Sequence, residues 1–182
     1  MEPEDRVVLV DLAPTEREQA VPVLIDSFEG IYRWHAKRTL RRIPIVRAAL
    51  AGTEVAGVSM LEQLTPEVGY VYYLAVGQKH RRHGLGLQLL DDALTLFVRK
   101  GSTIVYAAAE EDNAPSLALF RSRGFRVVER DELNYQYGGL GAWGLRSRMM
   151  LVSGELLLGL RIGSTLSGPA PGPAVSESRS GR

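Results

Sequence analysis

The 182-residue chain contains no cysteine. That absence excludes a disulfide scaffold, a thiolate nucleophile and any cysteine-ligated metal. It also lacks a charge excess of either sign: 22 Lys and Arg against 21 Asp and Glu leave +1 at pH 7. A balance so near zero argues against bulk electrostatic attraction to nucleic acid or to an anionic membrane. No long apolar run is present. The most apolar late stretch, residues 149–162, is interrupted by Glu155 and Arg161 and falls short of the roughly 20 apolar residues that a bilayer crossing takes. The acidic opening Met1-Glu2-Pro3-Glu4-Asp5 has no apolar core of a secretory signal. The cytoplasm is therefore the expected location. His80 and His83 are three residues apart, but Arg81 and Arg82 between them repel a cation and no carboxylate is near, so no metal site is expected. Gly57-Val58-Ser59-Met60-Leu61 lacks the closing glycine of a nucleophile elbow.

What is present suits one globular domain. Apolar residues make up 45% and charged residues 24%, enough to build a core of ordinary size. A domain is expected over 1–166, with a disordered Pro/Gly/Ser-rich tail over 167–182 that has almost nothing to bury. The element order predicted is β-α-α-β-β-β-α-β-α-β-β. Residues 7–10 read as a first strand. Thr15 with Glu18 predicts a helix from 15 to 28, with Pro22 strained inside it. A basic helix follows over 31–42, then a hairpin of 45–50 and 54–64. Strand 70–76, helix 84–100, strand 103–109 and helix 113–123 come next. The last strands are placed at 125–132 and 145–152, around a flexible loop at 138–144. Simple alternation puts Tyr70, Tyr72, Leu74 and Val76 on one face of their strand.

The chemistry concentrates at Arg81-Arg82-His83-Gly84-Leu85-Gly86, between the apolar strand and the amphipathic helix. Strand, glycine loop and helix start together form an anion cradle, because the first backbone N–H groups of a helix have no intrahelical partner and carry the positive end of its dipole. Gly84 and Gly86 let a pyrophosphate approach the main chain, and the arginines add charge-assisted donors. The dinucleotide fingerprint G-x-G-x-x-G fails because its third glycine position is Leu89, and no Gly-Lys pair exists for a P-loop.

The pattern R-x-x-G-x-G resembles the acetyl-CoA loop of the GNAT family of N-acetyltransferases. A second block strengthens the likeness: Asn113-Ala114-Pro115-Ser116 opens a short helix that closes at Leu119-Phe120-Arg121-Ser122-Arg123-Gly124-Phe125, similar to the family's N-x-x-(A/S)…LYxxxGF. Asp112 or Asn113 suits the helix N-cap, Pro115 its first turn and Gly124 its left-handed C-terminus. The resemblance covers residues 6–152. It implies a mixed α/β fold: a splayed, mostly antiparallel central sheet of about seven strands flanked by helices.

The resemblance also implies an activity, acetyl-CoA-dependent transfer of an acetyl group to a primary amine by direct attack. Leu74, Ala75 and Val76 would lend backbone groups to the pantetheine arm, and an N–H at or beside Val76 would polarise the thioester. Arg81, Arg82, His83, Gly84, Leu85, Gly86 and Leu87 would hold the pyrophosphate, with Asn113 and Phe120 beside the arm. Two positions depart from the family pattern. Phe120 replaces the tyrosine that protonates the leaving thiolate in many relatives, and Ala108 stands where N-terminal acetyltransferases place a base. Tyr70 and Glu110 are the candidates for the vacant proton-transfer roles; a tyrosine-rich strand packed on a helix and an acidic run facing a helix dipole account for them equally. Glu62 and Glu67 lie near the same strand.

Between Gly30 and Thr53 there is no acidic residue, and Arg33, Lys37 and Arg41 form a stripe at i, i+4, i+8. A solvated face fits this stripe best; an anionic acceptor or docking to a nucleic-acid-rich assembly is the functional alternative. Trp34 beside it, Tyr72, and Tyr137 with Tyr135 before the glycine loop are the candidates for lining the acceptor site. The acceptor itself, a small-molecule amine or a peptide or protein amine, stays open, and a monomer or homodimer is expected. An acyl-CoA-binding regulatory module with weak or no turnover is the alternative. A nucleotide-binding fold is a third.

Overall fold

The computed structural model describes residues 7–152 and 154–162; the tail expected from residue 167 lies outside the described residues. The described chain runs β1 (Val7–Asp11), a 3-10 turn (Arg17–Ala20), α1 (Val21–Ser27), α2 (Gly30–Leu40), β2 (Ile45–Ala51), β3 (Glu54–Thr65) and β4 (Val68–Val76). After these come α3 (Leu85–Arg99), β5 (Ile104–Glu110), α4 (Ala114–Arg121), β6 (Arg126–Val127), α5 (Arg130–Met149) and β7 (Glu155–Arg161). One seven-stranded sheet, ordered β1-β2-β3-β4-β5-β7-β6, carries helices on both faces. It is antiparallel except where β4 meets β5. This is the mixed, mostly antiparallel architecture that the sequence predicts.

Both faces are sealed by residues whose spacing suits their element. α3 turns Leu85, Leu89, Leu90, Ala93 and Phe97 inward, an i, i+4, i+8 stripe. Fully burying a side chain such as Phe97 or Leu90 stabilises the fold by roughly 1.5–3 kcal/mol. Phe97 sits where β4 has Gly69: a Cβ there would lie 2.5 Å from the ring. On the other face α1 and α2 cover Val46, Val58, Met60 and Ala75, and α5 covers Tyr70, Tyr106 and Leu157.

Three predicted elements are corrected. The helix expected from Thr15 is split. The ring of Pro22 clashes with the carbonyl four residues back and lacks an N–H, so the chain makes a 3-10 turn first and α1 begins with Pro22 in its first turn. The strands expected at 125–132 and 145–152 shrink to Arg126–Val127, and the chain between them is helical. Gly138, at φ 70°, breaks α5 into two helical pieces. Burial of Leu133, Ala142, Leu145 and Met149 against the sheet outweighs the poor helix propensity of its glycines. The last strand is Glu155–Arg161, whose apolar run fills the slot between β5 and β6. None of the described helices is long and apolar enough to cross a membrane.

Candidate functional site

β4 and β5 pair only from Val68↔Ile104 to Val71↔Ala107. Beyond that point β4 stays with β3 as far as Gly57↔Val76, and β5 stays with β7 as far as Glu110↔Glu155. The two central strands therefore part, and their inner edges are left without ladder partners. Backbone direction follows from alternation. The Gly77 N–H donates to Ala56 O at 2.9 Å, toward β3, so the N–H and C=O of Val76 and Leu74 point into the gap. Val76 O already accepts from Arg81 Nε at 2.9 Å and from the Ser27 hydroxyl at 3.3 Å. The N–H of Val76 and both polar groups of Leu74 face the open space.

At one end of the gap lies the glycine loop. The first intrahelical bond of α3 is Gln88 N–H to Gly84 O at 3.1 Å, so the N–H groups of Leu85, Gly86 and Leu87 precede the helical ladder and receive no side-chain cap. Two residues in left-handed conformation, Arg82 at φ 64° and Gly84 at φ 79°, turn the loop back on itself. Arg82 and His83 project into solvent. Arg81, also exposed, is tied down: its guanidinium donates to Asp26 O at 2.9 Å as well, linking the end of β4 to the last turn of α1. Leu85 packs in the core. Gly86 faces Leu119 and Leu74, with 3.6–3.8 Å from its Cβ position to their methyl groups. Asn113 caps α4 by accepting from Ser116 N–H at 3.1 Å. Phe120 is buried against Phe125, their ring centres 5.1 Å apart.

At the middle of the gap the register of β4 shifts. Met60 pairs with Tyr73 and Leu61 with Val71, so Tyr72 has no partner and forms a bulge. The alternation expected along 70–76 is thereby broken. Tyr70, Tyr72 and Tyr73 share the α2/α5 face, while Leu74 and Val76 pack on the α3 face. The expected single face is corrected, and the extra residue is its cause.

Two cavities meet in the gap. One, of about 390 Å³, lies toward α3 and α4 and is lined by Leu74, Glu110, Asn113, Ser116, Leu119 and Phe120 among others. The second, of about 430 Å³, lies between α2 and the end of α5 and includes Ile31, His35, Tyr70, Met149, Met150 and Val152. Tyr32, Tyr72, Tyr73, Ala108 and Glu155 line both and form the wall between them. Glu155 is the ionisable carboxyl of that wall. Burial pushes its pKa up, and so does Glu110 directly opposite it in the β5–β7 register. Its Oε2 accepts the Val152 N–H at 3.0 Å, which fixes its orientation. Burial and the charges of Glu155 and Glu110 push the Tyr32 phenol up to about 12; burial and Glu155 do the same to Tyr73. Tyr70 and Tyr72 are raised further, mainly by burial, and Tyr72 donates its hydroxyl proton to Arg148 O. Every phenol in the wall is held protonated at neutral pH.

The gap thus brings together Tyr70, Tyr72, Leu74, Glu110, Asn113 and Phe120. Two expected acceptor residues stand elsewhere. Trp34 is on the outer side of α2, 58% exposed, under the Arg38 guanidinium, in a separate basic groove with Arg33, Lys37 and Arg41. Ile31, Tyr32, His35 and Thr39 are the α2 residues that reach the gap, since they lie on the opposite face of the helix. Tyr137 is on α5, its hydroxyl 3.3 Å from that of the buried Tyr106, outside both cavities. Sequence reading missed Glu155 and Tyr32. The signal for Glu155 was a lone carboxylate opening a run of leucines; Tyr32 carried none. Among the described residues no cluster of three or more His, Asp or Glu is placed to hold a metal ion.

The model of the acetyltransferase (GNAT) family matches residues 10–125. The chain is 35% identical over 103 residues to the N-alpha-acetyltransferase RimI of Mycobacterium tuberculosis, covering 56% of this chain and 63% of that protein. It is 26% identical over 131 residues to the mycothiol acetyltransferase of Corynebacterium glutamicum, covering 64% of this chain and 45% of that protein. The chain spans less than two thirds of the length of each of these curated relatives. Its fold superposes on a GNAT family acetyltransferase from Elizabethkingia anophelis with acetyl-CoA bound, at a TM-score of 0.64 and 16% identity, covering 87% of this chain and 99% of that one.

Proposed function

The chain belongs to the GNAT family of acetyltransferases, and from that premise we propose that it transfers an acetyl group from acetyl-CoA to a primary amine. The observation that carries this reading is the parting of β4 and β5, which leaves an edge of backbone donors and acceptors between a helix-start anion cradle and a half-buried carboxyl. The residues fit the cosubstrate. The N–H groups of Leu85, Gly86 and Leu87 suit a pyrophosphate, and the free groups of Leu74 and Val76 suit the amides of an extended arm. Arg82 and His83 stand at the rim, while Arg81 braces the end of β4 through Val76 O and Asp26 O. Asn113, Ser116 and Phe120 form the wall beside the arm.

Acetyl-CoA supplies the activated thioester: the amine nitrogen forms the new bond to the carbonyl carbon, the carbon–sulfur bond breaks, and the thiolate leaves with its electron pair. The residues of the wall do the rest. The Val76 N–H is the donor for the carbonyl oxygen. Glu155 accepts the proton that the nitrogen loses; burial first, and Glu110 opposite it second, raise its pKa. Tyr32, Tyr72 and Tyr73, protonated at neutral pH, are the phenols lining the cavity where Phe120 cannot give up a proton. Tyr70 packs beneath Tyr72, their ring centres 4.6 Å apart, and positions it. The same reading takes residues 1–166 as one acetyltransferase domain, working in the cytoplasm as a monomer or homodimer.

Thiol release from acetyl-CoA across a panel of small amines and peptides tests the activity. Gly86→Glu tests the cradle: its Cβ position has ordinary clearance from Leu119 and Leu74, yet its carboxylate enters the phosphate site. Acetyl-CoA affinity should fall by about tenfold or more. Undiminished affinity refutes the cradle. Tight CoA binding with no turnover on any amine makes the chain a regulatory acyl-CoA-binding module instead.

A further inference from the structure

We infer that the acceptor is a primary amine carried on a bulky apolar body, with no carboxylate or phosphate close to the amine. This rests on the acetyltransferase reading above and adds the class of its second substrate.

Charge decides first. Among the described residues the lining of the cavity on the α2/α5 side contains no lysine or arginine, and the His35 imidazole is its one basic side chain. An anionic group bound there would have to shed water with no guanidinium or ammonium to receive it. It would also meet Glu155, with Glu110 behind it. The basic residues that might have served an anion, Arg33, Lys37, Arg38 and Arg41, are on the far side of α2 and line a different groove. A protonated amine meets the opposite situation: one carboxyl, and the partly exposed aromatic rings of Tyr72 and Tyr73.

Apolar surface decides the body. Ile31, Met150 and Val152 ring the mouth of this cavity and remain 72%, 54% and 49% exposed. Large apolar side chains grouped at the mouth of a cleft gain from an apolar partner, and methionine adapts to varied shapes. At about 430 Å³ the cavity is of a size that encloses a small ligand or the first side chain of a peptide. Glu155, Tyr32, Tyr72 and Tyr73 lie on the side shared with the other cavity, where the amine must reach, and His35 and Thr39 are polar side chains of the α2 side.

Phenylalanine and phenylalanine amide form the matched test pair, since they share the amine and the aromatic body and differ in the carboxylate. The amide should bind at least about tenfold better, the consequence of an unpaired buried charge on the acid; turnover is compared at a pH where both amines are unprotonated, because the carboxylate of the acid raises the pKa of its neighbouring amine. Equal values, or a preference for the acid, overturn the inference. Saturation-transfer NMR of the two compounds on the full-length protein reads binding independently of catalysis, so the comparison stands even where thiol release is slow. A second arm compares peptides starting with Phe or Leu against the same peptides starting with Asp. Preference for the apolar start supports the inference, and the rates of free amide and peptide then tell which source is used. Ile31→Arg, at an exposed position, should lower the rate with phenylalanine amide about tenfold with acetyl-CoA affinity unchanged. If spermidine or a lysine peptide is acetylated and the apolar amines are neither bound nor acetylated, the acceptor class is wrong and the acetyltransferase reading survives. If acetyl-CoA does not bind at all, that reading itself fails.

Discussion

Replacing Glu155 with glutamine should weaken catalysis and strengthen the fold at once. Glutamine keeps the shape and the carbonyl oxygen that accepts the Val152 N–H, so packing at the start of β7 is preserved. What disappears is a negative charge facing Glu110 across the β5–β7 ladder. Like charges opposite one another in a sheet destabilise it by a few tenths to about 1 kcal/mol. In a chain of this size that corresponds to a rise in Tm of up to about 4 °C. The pH dependence has a definite sign. The folded state holds the Glu155 proton more tightly than the unfolded chain, whose carboxyl titrates near its ordinary 4.5. The stabilising contribution is therefore complete below that value and is lost as pH rises through the raised folded value. Wild type and Glu155→Gln should melt alike near pH 4 and diverge, with the variant more stable, at pH 7–8. Activity should move the other way. Loss of a general base reduces kcat on the order of 10²–10⁴-fold, and the acid limb of the wild-type pH–rate profile should vanish in the variant. Glu110→Gln, in contrast, should retain most of the rate and shift that limb to lower pH, because it removes a charge that raises the Glu155 pKa. The decisive data are calorimetric melts and thiol-release rates on both variants from pH 4 to 9. A Glu155→Gln protein with wild-type kcat and an intact acid limb refutes the assignment, whatever its Tm.

Three further outcomes test the frame that holds the site. Gly69→Ala places a Cβ 2.5–2.7 Å from the buried Phe97 ring, and overpacking of this kind should lower stability by about 1–3 kcal/mol in denaturant titration, with acetyl-CoA affinity unchanged. Arg81→Ala removes the tie from Val76 O and Asp26 O; at this exposed position the expected loss is about 1 kcal/mol, together with a higher KM for acetyl-CoA, and an unchanged KM would show that Arg81 does not brace the edge. Asp92→Asn breaks the paired bonds of 2.7 and 2.9 Å to the half-buried Arg47, leaving Asp11 as its remaining partner; chemical denaturation should show a loss of about 2 kcal/mol.

Local patterns carried much of this architecture. The hairpin of β2 and β3 declares itself through apolar strands around Gly52, which adopts φ 61°. The α3 stripe and the glycine loop are equally visible, because each depends on residues close in sequence. The failures share a different character. α5 has no amphipathic signature to speak of, and its glycines and tyrosines look like a loop between strands; only burial on the sheet makes it helical. Pro22 reads as a flaw inside a helix until the chain is seen to begin α1 there. Trp34 and Ile31 are near neighbours on one helix, and nothing in the sequence says which side faces the sheet. Glu155 escaped for a stronger reason. Its raised pKa comes from burial and from Glu110, 45 positions earlier by number, and both depend on the β5–β7 register.

The bulge at Tyr72 links the two halves of the site. A strand with strict alternation would place either Tyr72 or Tyr73, but not both, on the acceptor side, and would bury Leu74 with them. One unpaired residue changes the parity, so both tyrosines face α2 while Leu74 turns to α3. The same residue follows immediately on Val71, the last position of β4 that pairs with β5. An extra residue increases local twist and ends regular pairing, which is the condition for the neighbouring strands to part. The open backbone edge suited to a pantetheine arm and the tyrosine-lined cavity suited to an amine therefore have a common origin in the chain. On the proposed function one strand would then align both substrates: whatever fixes Tyr72, such as its bond to Arg148 O, also fixes the open edge of β4.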